Sequence, residues 1–187
     1  KRQIEHSKSP VIHQAFAKQT GEAMDYQKQL VELNGFAGAV NAFKDAGGKG
    51  LNITVPFKQE AYQLADSLSK RARQAGAVNT LVINADGSIE GDNTDGVGLL
   101  NDITQNLGWP VAGKAVLVLG AGGAVRGILG PLLAQKPGKV FIANRTVEKA
   151  QHLATAFSKQ GNIEALGFEQ VPWHAFAITT CWPACCR

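Results

Sequence analysis

Short apolar runs alternate with amphipathic stretches along the whole chain, and glycine or proline marks nearly every change between them. The clearest runs are Ala115-Val-Leu-Val-Leu119 and Lys139-Val-Phe-Ile-Ala143. Continuous apolar runs of this length read as strands buried on both faces, the habit of parallel sheets. Between them Gly120-Ala-Gly-Gly-Ala-Val-Arg-Gly127 opens a stretch of helical period, which predicts a strand–turn–helix–strand unit starting at Lys114. A further helix to about residue 160 and a strand over 162–168 follow Thr146.

Upstream the same alternation is shorter in period. Ser9-Pro10 reads as a serine cap with proline at the first helical position of a helix over 11–21. A strand is predicted over 25–30, and then a helix over 35–46 that stops at Gly47-Gly48. Residues 50–55 read as a strand ended by Pro56. Helical segments follow over 58–66 and 67–75, then strands over 77–83 and 88–91 around the Asp86-Gly87 turn. A helix over 94–107, broken by Gly108-Trp-Pro110, links the two halves. Strands alternating with helices in both halves predict an α/β architecture. Internal repeats and low-complexity segments are absent.

Composition changes this picture little. Of the 187 residues, 44% are hydrophobic and 18% charged, an ordinary globular balance. No stretch approaches the ~20 apolar residues of a membrane-spanning helix, and Lys1-Arg-Gln-Ile-Glu-His6 lacks the apolar core of a secretory leader. A scattered net charge of +4 suits small anionic ligands and is too weak to imply nucleic acid. All three cysteines lie in the terminal Cys181-Trp-Pro-Ala-Cys-Cys-Arg187, so the preceding 180 residues suit a reducing cytoplasm without a disulfide framework. A Cys-x-x-x-Cys-Cys tail with no fourth thiolate and no histidine at ligand spacing makes a poor metal site, and none is assigned.

The candidate chemistry lies at breaks between elements. A strand followed at once by glycines lets backbone approach a pyrophosphate at a helix N-terminus. Val125 stands where the third glycine of the usual pattern would fall, so the loop alone is weak evidence and a plain helix entry stays open as the lesser reading. The second strand ends in Asn144-Arg145-Thr146, where an NAD site has an acid for the ribose 2′-hydroxyl. An arginine there suits a 2′-phosphate and points to NADP. In Gly50-Leu-Asn-Ile-Thr-Val-Pro-Phe-Lys58, alternation puts Asn52 and Thr54 on one strand face, ahead of Lys58. Ser7 and Ser9, Asn79 and Asp95 add hydroxyls, an amide and a carboxylate at three other breaks. Together they suit a polyhydroxylated small molecule, with the lysine moving a proton and the aspartate holding it. Plainer readings stay open: Ser9 and Asp95 as helix caps, Lys58 as a solvated surface charge.

These residues resemble the shikimate dehydrogenase family. His6-Ser-Lys-Ser-Pro10, Asn52-Ile-Thr-Val-Pro-Phe-Lys58, Gly76-Ala-Val-Asn-Thr80, Gly91-Asp-Asn-Thr-Asp-Gly96, Gly120-Ala-Gly-Gly-Ala124 and Asn144-Arg-Thr146 stand in family order over about residues 4–175. The resemblance implies reversible reduction of 3-dehydroshikimate to shikimate by NADPH, in aromatic amino-acid biosynthesis. It implies Lys58 and Asp95 as the catalytic pair, and Ser7 and Ser9 as ligands of the substrate carboxylate. Asn52, Thr54 and Asn79 would line the substrate pocket, with Asp95 also touching substrate. Gly120, Ala121, Gly122, Gly123 and Ala124 match the pyrophosphate loop. Asn144, Arg145 and Thr146 match the 2′-phosphate clamp, with Lys149 where many members carry arginine. The implied fold is α/β with two domains. These are a substrate-binding domain over 1–94, a linking helix over 95–112 and an incomplete Rossmann-like NADP-binding domain over 113–187. The partners implied are small molecules, with neither nucleic acid nor membrane, and a homodimer is one option for assembly.

Departures from the family gather at the ends. Lys1-Arg-Gln3 replaces the usual first strand and Gly-Asn-Pro turn, and the likeness stops after Phe176. Family chains run on for about half this length again, with an Asn-Ala-Thr turn and a helical glutamine ligand. The chain is therefore expected to be truncated at both ends, by a fragment boundary or a shifted reading frame, and to be poorly stable alone. An inactive NADP-binding remnant and a quinate- or NAD-using relative are the alternatives to the dehydrogenase reading.

Overall fold

The computed structural model describes residue 4 and residues 6–173. The cysteine tail lies outside them. The fold is α/β and forms two compact units, residues 1–43 and 44–187. In the first unit, helix α1 spans Ser9–Thr20 and ends at Gly21, whose left-handed backbone lets its N–H donate to the carbonyl of Ala17. Helix α2, Phe36–Asp45, runs across the boundary. The strand expected over 25–30 does not form. The segment carries no regular structure and is largely exposed, and the unit has no strand among the described residues to complete a ladder.

The second unit contains two sheets. Strand β1 (Gly50–Asn52), helix α3 (Lys58–Leu64), β2 (Ser67–Leu68), helix α4 (Lys70–Ala75), β3 (Thr80–Ile83) and β4 (Ile89–Asp92) come first. Their strands lie in the order β1-β3-β4-β2; β3 is antiparallel to both its neighbours, and β2 is parallel to β4. Two expectations change here. The strand predicted over 50–55 stops at Asn52, and a turn follows in which the Phe57 N–H donates to the Thr54 carbonyl at 3.0 Å; the Val55–Pro56 peptide within it is cis. The helix predicted over 67–75 gives its first two residues to β2. Ser69 then caps α4, its hydroxyl accepting the Ala72 N–H at 3.1 Å.

Helix α5 (Asp95–Asn101) passes into a π-helical stretch, Asp102–Asn106. Strand β5 (Ala115–Leu119), helix α6 (Gly123–Ala134), β6 (Lys139–Ala143), helix α7 (Val147–Phe157) and β7 (Ile163–Leu166) complete the chain as described. The three strands are parallel in the order β5-β6-β7. Their shared core joins Val125, Leu129 and Leu133 of α6 to Val140 and Ile142 of β6 and Leu153 and Phe157 of α7. Leu129, Val140 and Ile142 are fully buried, each contributing about 1.5–3 kcal/mol by leaving water. This core fixes α6, and with it the glycine turn, against the sheet. Helices α5 and α6 meet almost backbone to backbone. A Cβ on Gly96 would lie 2.7 Å from the Gly127 carbonyl and 2.7 Å from Pro131. Pro131 has no N–H to offer that carbonyl, which therefore faces Gly96 instead of closing a helical bond.

Candidate active site

The Lys58 side chain leaves the first residue of α3, immediately after the Val55–Pro56 turn. Its ammonium donates to Asp95 Oδ2 at 2.7 Å across 37 residues of sequence. The other Asp95 oxygen accepts from Asn79 Nδ2, also at 2.7 Å. Asn79 is fixed in turn: its Oδ1 accepts the Thr94 N–H at 3.0 Å and the Thr80 hydroxyl at 2.9 Å, and its amide also donates to the Thr94 hydroxyl. Asp95 opens α5 without capping it through its side chain; its own N–H donates to Asn93 Oδ1 at 3.2 Å. The carboxylate is thus committed to the lysine and the asparagine rather than to a helix end. The two side chains of the pair are 27% and 33% exposed, so the pair adds little to stability. Its chemical effect is to hold a solvent-reachable ammonium in one direction.

A cavity of about 250 Å³ runs past this pair, lined by Lys58, Asp95, Asn93, Gly123, Ala124 and Arg126 among others. The lysine–aspartate pair and the first turn of α6 therefore share one cavity. Gly120 has φ +104°, in the region that favours glycine, and its N–H donates to the Ala143 carbonyl at 2.7 Å. That bond continues the β5–β6 register one step past Leu119↔Ala143, so the glycine turn and Asn144-Arg145-Thr146 sit side by side at the carboxyl ends of parallel strands. Ligands of open α/β sheets bind at such ends. Gly122 and Gly123 have open space where a Cβ would stand, and the first N–H groups of α6 lack intrahelical partners. Asn144 Nδ2 donates to the Thr146 carbonyl, shaping the turn, while Arg145, Thr146 and Lys149 are exposed.

The remaining sequence candidates are placed elsewhere. Asn52 and Thr54 are exposed at and just beyond the end of β1, which stops before Thr54, and are not among the residues lining this cavity. Ser7 and Ser9 lie in the first unit, where the Ser7 hydroxyl donates to Ser9 Oγ at 3.1 Å and accepts the Ser9 N–H at 3.3 Å. Ser9 is the first helical residue and Lys8 the cap position, so the cap expected of Ser9 is not made. Tyr26 bonds the Ser9 hydroxyl, and burial outweighs that bond to raise the phenol above its ordinary value.

Sequence reasoning missed Asn93, Thr94 and Arg126. Both Asn93 and Thr94 fall inside the polar run Gly91–Gly96, from which only Asp95 was singled out. Arg126 was read as part of the loop, whereas its Nε reaches the Gln74 carbonyl at 3.3 Å and its guanidinium covers Gly76. Also unforeseen is Asp92, which receives Arg71 through Nε at 2.8 Å and through a second guanidinium nitrogen. Those bonds, aided by the Ser69 hydroxyl, hold the Asp92 carboxyl below the usual carboxylate range against the opposing effect of burial.

Two family models match the chain. One describes the shikimate dehydrogenase substrate-binding domain and covers residues 2–81; the other describes shikimate/quinate 5-dehydrogenase and covers residues 102–176. A curated shikimate dehydrogenase (NADP(+)) of Cellvibrio japonicus is 59% identical over 94% of this chain. The crystal structure of an Ael1 enzyme from Pseudomonas putida superposes with a TM-score of 0.85 at 44% identity, covering 90% of this chain and 61% of that one. A shikimate dehydrogenase solved in complex with NADP+ gives a TM-score of 0.81 at 32% identity, over 92% of this chain and 61% of that one. The chain spans 63% of the length of the Cellvibrio relative. With both family models matched in order and the fold shared, the chain belongs to the shikimate dehydrogenase family.

Proposed function

We propose that the protein is an NADP-dependent shikimate dehydrogenase, reducing 3-dehydroshikimate reversibly to shikimate in aromatic amino-acid biosynthesis. The observation that carries this reading is the Lys58–Asp95 pair opening into the same cavity as Gly123 and Ala124. Bound NADPH supplies the hydride. Lys58 gives its ammonium proton to the oxygen of the carbonyl being reduced, and takes it back in the reverse direction. Asp95 keeps the ammonium aimed between turnovers, and Asn79 keeps Asp95 from rotating away. Because the Lys58 side chain is 27% exposed, solvent can restore its proton.

The roles this reading gives the other residues are the substrate hydroxyls for Asn52, Thr54, Asn79 and Asp95, and the substrate carboxylate for Ser7 and Ser9. The pyrophosphate lies against Gly120, Ala121, Gly122, Gly123 and Ala124, where no side chain bars the way to the helix N–H groups. Asn144, Arg145, Thr146 and Lys149 hold the 2′-phosphate; lysine at 149 keeps the charge without the planar fork of arginine. In functional terms residues 1–94 are the substrate-binding part, 95–112 the link and 113–187 the dinucleotide-binding part. The cysteine-free first 180 residues favour a cytoplasmic setting. The names of the curated relatives and the neighbour solved with NADP+ support the same assignment. Titrating the purified protein with NADPH and NADH by nicotinamide fluorescence, and with shikimate by calorimetry, tests it. Saturable binding of shikimate and of NADPH, the latter at least tenfold tighter than NADH, is expected. Equal affinity for the two nucleotides, or no NADPH binding, removes the reading.

A further inference from the structure

Asn93 is the one buried polar side chain among the described residues, 2% exposed. An amide taken from water costs free energy unless it is bonded, so its partners state its purpose. Nδ2 donates to the Ala77 carbonyl at 3.1 Å, just past the turn at Gly76, and Oδ1 accepts the Asp95 N–H at 3.2 Å. The end of the amide points at α6, where a Cβ added to Gly127 would stand 3.4 Å from Oδ1 and 3.5 Å from Nδ2, with Cγ farther off at 3.8 Å. One side chain thus touches three things at once: the backbone of the catalytic aspartate, the turn leading to Asn79, and the helix that begins at the glycine loop.

We propose that Asn93 is a positioning residue that sets the Lys58–Asp95 pair in register with the dinucleotide-binding turn. Asp95 can point at Lys58 only while its backbone is held, and Oδ1 of Asn93 holds it. Gly127 is part of the same device: a Cβ there would already stand at van der Waals contact with the amide, so a side chain that extends past Cβ would push the amide outward. The neighbouring contact of Gly96 with the Gly127 carbonyl keeps α5 from sliding along α6. The inference rests on the reading of that turn as the NADP site, but its first readout does not.

The experiment compares the unaltered protein with Asn93→Ala, Gly127→Val and Leu153→Ala. It measures the labelling rate of Lys58 by an amine-reactive anhydride at fixed pH, the affinities for shikimate and NADPH, and the melting temperature. Asn93→Ala should label Lys58 several-fold faster and weaken shikimate about tenfold, while NADPH affinity changes less than twofold. Gly127→Val keeps every hydrogen-bonding group but crowds the amide, and should move both quantities less, in the same direction. Leu153→Ala opens the core away from Asn93 and should lower the melting temperature without changing Lys58 labelling. Should labelling in Asn93→Ala and Gly127→Val match the unaltered protein, or rise equally in Leu153→Ala, the positioning role is overturned. Should the unaltered protein bind no NADPH, the dinucleotide reading fails, and the labelling comparison still decides whether Asn93 holds the pair. If Asn93→Ala does not fold, Gly127→Val carries the decision.

Discussion

Arg145 decides the cofactor preference on this account. It is exposed at the carboxyl end of β6, beside the Gly120–Ala124 turn, and no acid replaces it there. A charge-assisted hydrogen bond to a phosphate contributes about 1.5–3 kcal/mol, or roughly tenfold to a hundredfold in affinity. Arg145→Ala should therefore weaken NADPH binding by that factor and leave NADH binding nearly unchanged, as a pair of fluorescence titrations would show. An equal loss for both nucleotides would mean that the arginine shapes the turn rather than reads the phosphate. Lys58 and Asp95 carry a different lesson. Each had a plain sequence explanation, a surface charge and a helix cap, and only the bonds across 37 residues separate those from the paired arrangement. Asn93 gave no signal at all, since an asparagine in a polar loop reads as a turn residue until its burial is seen.

At the scale of elements, the legible parts were those with strong local pattern. The runs 115–119 and 139–143 form β5 and β6 at those bounds, but only the central β6 has the burial expected of such runs, while the edge strand β5 is partly exposed along its length. The segment 25–30 failed for want of a partner, and 67–75 was misdivided because a two-residue strand carries no period to read. That division has consequences. Leu68 and Ser69 bring the start of α4 to Asp92, whose carboxyl the Arg71 guanidinium holds low. A carboxyl lowered in the folded state stabilises fully above its ordinary value near 4, and the gain disappears as pH falls through the lower folded value. Melting temperature should fall through that acid range in the unaltered protein, and Arg71→Ala should flatten the fall, melting below the unaltered protein at pH 7 and converging with it in acid. The α5–α6 contact gives a second test. Gly96→Ala places a methyl 2.7 Å from backbone, so chemical denaturation should report a loss of about 1–3 kcal/mol. A neutral outcome would mean that the helices part easily.

For the molecule as a whole, family and fold follow from six short motifs and two matched family models. What the sequence alone could not supply was assembly: which polar breaks face one another. In the second unit, Asp95 at the start of α5 meets Lys58 at the start of α3, beside the glycine turn at the start of α6. Helix starts gather there because the strands before α5 and α6 deliver their carboxyl ends to the same cavity, the usual place for chemistry in α/β proteins. Ser7 and Ser9 contact each other within the first unit, where the proposed role for them is the substrate carboxylate. A mild positive charge of +4 agrees with two anionic ligands without directing the protein to nucleic acid. The most direct test of this account follows NADPH absorbance in the purified protein with 3-dehydroshikimate, beside Lys58→Ala. The account predicts NADPH consumption by the unaltered protein, a rate at least a hundredfold lower in the variant, and NADPH affinity within twofold between them. Equal rates in the two proteins, or NADPH bound with no consumption in either, would contradict it.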